Sequence, residues 1–125
     1  MYARLGWIPV LSWCGFIYWM SSRTNIPEPG FWLPPYADKI IHGVLYAILS
    51  SLAYVWARAM HFTPFRALLL AIPLASIYGI TDEWHQSYVP GRHPDVYDWI
   101  ADTVGAAWVV VLAWRESSRQ KNITP

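Results

Sequence analysis

The fold class this chain predicts is all-α: an integral-membrane four-helix bundle, up-and-down, with both termini cytoplasmic. Three observations predict it. The 125 residues are 55% hydrophobic and only 14% charged, too apolar for an ordinary soluble domain of this size. Apolar residues gather in four stretches, Leu5 to Met20, Ile40 to Trp56, Ala67 to Ile80, and Thr103 to Val111 with flanks out to Val96 and Trp114. Finally, the polar residues sit at one set of helix ends and most of the basic residues at the other.

Each stretch falls short of the ~20 residues that cross a hydrocarbon core of ~30 Å, so each recruits polar neighbours. The resulting spans, within a single domain over 1–125, are approximately 4–21, 38–58, 64–83 and 96–115. The first resembles a signal peptide in having Arg4 before an apolar run. It lacks a small-residue cleavage site and ends in Trp13, Phe16, Tyr18 and Trp19, which predicts a retained anchor. The second borrows Asp38, Lys39 and His42 at its start. Thr63 followed by Pro64 predicts the N-cap and first turn of the third, which contains Pro73, a candidate kink, and borrows Thr81, Asp82 and Glu83 at its end. The fourth opens on Asp95 and Asp98, spaced as in a capping box.

The segment from Ser21 to Tyr36 holds Pro27, Pro29, Gly30, Pro34 and Pro35, too many breakers for a helix, and its Phe31, Trp32 and Leu33 suit an interfacial plug. Arg4, Arg58, Arg66, Arg115, Arg119 and Lys121 fall on one side of the bundle, and Arg23, Lys39 and Arg92 on the other. The Lys/Arg excess marks the cytoplasmic side, so the polar ends face outward. Seven of the eight acids (Glu28, Asp38, Asp82, Glu83, Asp95, Asp98, Asp102) then lie at or near the outer face, a polarity hidden by the net charge of +1. Trp19, Tyr36, Trp84, Tyr88 and Trp99 form an outer aromatic belt, and Trp56, Phe62, Phe65 and Trp114 an inner one. A single cysteine, Cys14, excludes an internal disulfide and a cysteine-based metal cluster.

Asp38, His42 and Tyr46 recur every four residues and share one stripe of the second helix, continued by Leu49. Asp98, Asp102 and Gly105 share a stripe of the fourth, where Gly105 permits close approach of another helix, as does Gly43 on the second. Asp82 and Glu83 can each share a face with Gln86. One reading of this set is an ion-pair network in which Lys39 and Arg92 neutralise carboxylates, His42 bonds another, and the helix ends are locked. Five core carboxylates (Asp38, Asp82, Glu83, Asp98, Asp102) exceed the two bases beside them, however, and that imbalance is costly to bury.

Three things can offset it. A divalent cation is one, with Asp38, His42, Glu83 and Asp98 as candidate ligands: carboxylate oxygens suit magnesium, calcium or manganese, and His42 or His85 would add nitrogen for manganese or zinc. Protonation is another, since crowded carboxylates raise one another's pKa and can set a general acid beside a general base. The third is a cationic or hydrogen-bonding ligand entering from outside. No HExxH, GxSxG or glycine-rich phosphate loop is present, and the basic residues follow the membrane rule rather than forming a nucleic-acid surface. His61 and His93 read as incidental.

In order along the chain, Ser21-Ser22, Asp38-Lys39 with His42 and Tyr46, Asp82-Glu83-x-x-Gln86, Pro90-Gly91-Arg92, and Asp98 with Asp102 and Gly105 resemble the VanZ-like family of small bacterial membrane proteins. The resemblance covers most of the chain. It departs at Asp102, where relatives commonly carry Asn, and at Asp95, where a Ser or similar cap is frequent. The resemblance implies a multi-pass protein of the bacterial cytoplasmic membrane with its polar site facing the cell wall. It also implies a link to reduced susceptibility to teicoplanin-like glycopeptides.

The expected function is ligand handling. Asp38, Lys39, His42, Tyr46, Asp82, Glu83, Gln86, Arg92, Asp98 and Asp102 would bind the polar part of an envelope lipid, a lipid-linked cell-wall precursor or an amphiphilic lipoglycopeptide, with the bilayer as the standing partner and no nucleic acid. Lys39 and Arg92 would meet phosphate or carboxylate groups. The alternatives are an enzyme acting on a lipid-linked headgroup, with Glu83 or Asp82 as general base and His42 as acid or ligand, and a structural accessory subunit.

Overall fold

In the computed structural model, residues 5–24 and 36–121 are described. The expectations for Arg4, Glu28 and the proline-rich segment with Phe31, Trp32 and Leu33 lie outside these, as does the side chain of Lys121. All regular structure among the described residues is helical: α1 Trp7–Ser21, α2 Ala37–Ala59, α3 Pro64–Gln86, α4 Val96–Ala106 and α5 Val109–Lys121. Three rods are long and apolar enough to cross a bilayer, Ala37–Ala59, Pro64–Gln86 and Val96–Gln120. The third joins α4 and α5 across a turn at Ala107 and Trp108, a break the continuous fourth stretch did not signal. With 15 residues, α1 rises only ~22 Å at ~1.5 Å per residue and is not among the three.

Local chemistry sets the helix ends. Thr63 caps α3 by accepting the Arg66 N–H at 3.3 Å, with Pro64 in the first turn, as the sequence predicts; α3 then continues through Pro73 as one helix. α2 ends at His61 in the left-handed region, φ 64°. There the Phe62 N–H bonds the Ala57 carbonyl and the His61 N–H the Arg58 carbonyl, a Schellman arrangement that satisfies two terminal carbonyls.

α2 is the central rod, packed against α1, α3, α4 and α5. The buried residues of α3 are Ala67, Ala71, Ala75, Gly79, Asp82, Glu83 and Gln86. Small residues thus recur every fourth position and then give way to polar ones. Lipid supplies no hydrophobic drive between helices, so such a stripe associates through close backbone approach. The large apolar side chains Leu69, Ile77 and Ile80 face outward, where lipid replaces solvent.

α2 and α4 cross at Gly43 and Gly105. A Cβ built on Gly105 would stand 2.0 Å from the Gly43 carbonyl oxygen and 2.6 Å from its Cα, so the two backbones touch within one chain. At the basic end, Arg58 pairs with Glu116, which also accepts the Tyr54 hydroxyl at 2.7 Å. Trp19, Tyr36, Trp84 and Tyr88 are exposed at the polar end, and Phe62, Phe65 and Trp114 at the other. Trp99 departs from the expected belt, since its indole N–H turns inward to the Ser76 carbonyl at 3.2 Å.

Candidate functional site

The polar end is organised by Lys39, in the first turn of α2. Its Nζ lies 2.5 Å from Asp98 Oδ1, 2.6 Å from Asp95 Oδ2 and 3.0 Å from Asp38 Oδ2. Asp95 is the N-cap of α4 and accepts the Tyr97 N–H at 2.8 Å. In a capping box the residue three positions on would return to the N-cap N–H. Asp98 instead turns to Lys39, and the Asp95 N–H donates to Glu83 Oε2 of α3 at 2.7 Å. One helix start is therefore capped from a second helix and charge-neutralised from a third.

One turn further along α2, His42 Nδ1 stands 3.0 Å from Asp102 Oδ1, while its Nε2 is 3.9 Å from Asp98 Oδ2. Asp102 is completely buried. On α3, Gln86 Nε2 donates to Asp82 Oδ2 at 3.2 Å. Among the described residues, four buried polar atoms lack a hydrogen-bond partner: Tyr46 OH, Asp82 Oδ1, Glu83 Oε1 and Asp102 Oδ2. Buried orphans of this kind each cost ~1–3 kcal/mol, and three of the four accept only when ionised. A cavity of about 160 Å³ opens among Ile17, Met20, Ser21, Asp38, Ile41, His42, Leu45, Tyr46, Asp82, Gln86 and Arg92, so two of the orphaned side chains line it. On the α2–α4 side a larger apolar groove of about 600 Å³ runs from Ile40 and Gly43 to Val55, bounded by Val104, Gly105 and Trp108.

Two expectations need correcting. Arg92 was expected to neutralise carboxylates; its Nε donates to the Arg23 carbonyl at 3.2 Å and its Nη2 to that of Met20 at 3.4 Å. It ties the turn after α3 to the end of α1, where the helix-end carbonyls attract a cation. Asp38 was counted as a core carboxylate, yet its side chain is 62% exposed. The ion-pair reading therefore holds for Lys39 and not for Arg92.

Of the four candidate metal ligands, His42, Glu83 and Asp98 each offer an atom within 4.8 Å of the others', and Asp38 is not in that group. Asp95 is the participant that sequence reasoning treated only as a cap. Its spacing to Asp98 was visible; its pairing with Lys39, 56 positions earlier, was not. Ser21, noted only in a motif, is buried against the cavity.

Asp95 precedes the membrane-spanning part of α4. The Lys39 ammonium, and then the Tyr97 N–H, hold its carboxyl below its ordinary value of 3.8. A depressed acid contributes stability that is complete above its ordinary pKa and is lost as pH falls through the lowered one. The thermal midpoint in detergent is accordingly expected to drop below about pH 4, and to drop less steeply in Asp95→Asn. Parallel pH profiles for the two proteins would refute the pairing.

A family model described as VanZ/LLP1 matches residues 5–117. Neither a curated protein nor a solved structure matches the chain.

Proposed function

The chain belongs to the VanZ-like family, and from that premise we propose that it is a ligand-handling membrane protein whose polar cavity receives the head of an envelope amphiphile. The observation that carries this reading is the cavity wall itself, where Tyr46 OH and Asp82 Oδ1 are buried without partners. A fold that leaves such atoms unpaired beside an opening holds them for a group that comes and goes. Because Lys39 is engaged by three carboxylates, the head that fits best is a hydrogen-bond donor, an ammonium or sugar hydroxyl group, with Arg92 at the rim for a neighbouring phosphate. The exposed aromatics Trp19, Trp84 and Tyr88 would hold its apolar part at the interface. On this reading the site faces the cell wall, where lipid-linked precursors and lipoglycopeptides meet the bilayer, and a role in glycopeptide resistance follows from competition for such heads.

Tyr46→Phe removes one orphan without changing shape. It is expected to leave the protein as stable as wild type or stabler by ~1 kcal/mol. It is also expected to weaken binding of an amine-bearing lipid such as phosphatidylethanolamine, or of teicoplanin, about tenfold by native mass spectrometry in nanodiscs, a loss of ~1.4 kcal/mol. Equal binding by wild type and variant across both probes would reject the cavity as the head site.

The His42–Asp102 pair beside buried Glu83 also favours a second reading, a hydrolase or transferase acting on a lipid-linked headgroup with Glu83 as base and His42 as acid. It requires product from an envelope-lipid panel, abolished in Glu83→Gln. A panel without turnover removes it.

A further inference from the structure

We propose that His42, Glu83 and Asp98 form a binding site for one divalent first-row transition cation of the zinc or manganese class. This goes beyond the amphiphile reading and does not rest on it: His42 borders both sites, but Glu83 and Asp98 lie outside the cavity lining, and the orphaned Tyr46 and Asp82 lie outside the trio.

The first argument is convergence: one ligand atom from each side chain lies within 4.8 Å of the other two. Atoms around a tetrahedral ion at ~2.1 Å stand ~3.4 Å apart. His42 Nε2 and Asp98 Oδ2, at 3.9 Å, need to close by only ~0.5 Å to meet it.

The second is that every member is held by its other atom. Asp102 Oδ1 takes the Nδ1 side of His42 at 3.0 Å, the carboxylate support that fixes an imidazole tautomer and leaves Nε2 as donor to a metal. Lys39 holds Asp98 by Oδ1 at 2.5 Å, which leaves Oδ2. The Asp95 N–H holds Glu83 by Oε2, which leaves Oε1, a buried atom with no partner on a side chain only 9% exposed. Three side chains from three helices are thus each pinned through one atom with a second atom spare.

The third is charge. Lys39 is engaged by Asp38, Asp95 and Asp98, so its one positive charge is outnumbered before Glu83, Asp82 and Asp102 are counted, and a divalent cation would offset two of the excess negative charges. The imidazole selects the class, since magnesium and calcium prefer oxygen throughout. Three protein ligands leave at least one coordination position for water or a bound molecule.

The test uses full-length, untagged protein in detergent, stripped with a chelator and titrated with Co²⁺, Zn²⁺, Mn²⁺ and Mg²⁺. Expected are visible Co²⁺ absorption bands saturating at one ion per chain, displacement by Zn²⁺, and a raised thermal midpoint with no response to Mg²⁺. Glu83→Gln and His42→Ala should abolish the bands. Asp102→Asn, which touches no metal, should weaken affinity 10–100-fold, and Tyr46→Phe should leave it unchanged. Because His42→Ala also removes a packed ring, the nearly isosteric Glu83→Gln and Asp102→Asn decide the matter. Absence of bands in folded wild-type protein, or equal binding by Glu83→Gln and Asp102→Asn, overturns the site. Loss of lipid binding in Tyr46→Phe with intact Co²⁺ bands separates the two proposals.

Discussion

Gly105→Ala is expected to prevent α2 and α4 from closing on each other. The added carbon would meet the Gly43 oxygen at 2.0 Å and its carbonyl carbon and Cα at 2.6 Å. These are backbone atoms that cannot rotate aside as a side-chain tip would. Overpacking alone costs ~1–3 kcal/mol. Here the forced separation also stretches Lys39 from Asp98 and His42 from Asp102, so the loss should exceed that range and appear as a collapse of folded yield in detergent. Gly43→Ala is the control, because its added carbon meets only the Ala101 carbonyl at 3.5 Å, an ordinary contact. Helix propensity then favours alanine by up to ~1 kcal/mol. Equal thermal midpoints for the two variants would show that the crossing is not as close as described.

The second large effect belongs to Lys39→Met. The substitution keeps an unbranched chain of similar length but leaves Asp98, at the mouth of the bundle, without its cation. Breaking an enclosed pair from one side costs ~3–5 kcal/mol. Lys39 is 23% exposed, so a discounted loss of about 2–3 kcal/mol is expected. Adding Asp98→Asn should restore part of it, since removing both charges is gentler than stranding one. Thermal unfolding of wild type, both single variants and the double variant closes the cycle; a double variant weaker than the sum of the singles would refute the pairing.

Much of the fold was legible in the sequence because hydropathy is a local property. The apolar stretches gave three membrane-length rods, Thr63-Pro64 gave the start of α3, and helical spacing brought Asp82 to Gln86. What stayed hidden is relational. The Asp95–Asp98 spacing looked like a self-contained cap, yet each half is completed by a residue from another helix, which spacing within one segment cannot encode. Arg92 sits among acids in the sequence, but the short turn after α3 carries it to the end of α1. Asp38 shares a stripe with His42, and nothing in that periodicity tells that its carboxylate stays exposed. Ala67, Ala71, Ala75 and Gly79 were read as part of an apolar run, although their smallness, rather than their hydropathy, seats α3 against its neighbours.

The order in which the chain is made gives the Lys39 cluster a further meaning. α2 is complete when only the exposed Asp38 accompanies Lys39, since Asp95, Asp98 and Asp102 follow their partners by 56, 59 and 60 positions. At a synthesis rate of ~5–20 residues per second, that interval is roughly 3–12 s. A cation in mid-membrane would make such a wait expensive, whereas one in the opening turn, beside Asp38, can reach up to the headgroups until its remaining counter-charges arrive. Placing the cluster at the rim therefore lets α2 insert as a solitary helix, with α4 later recruiting it by its charges.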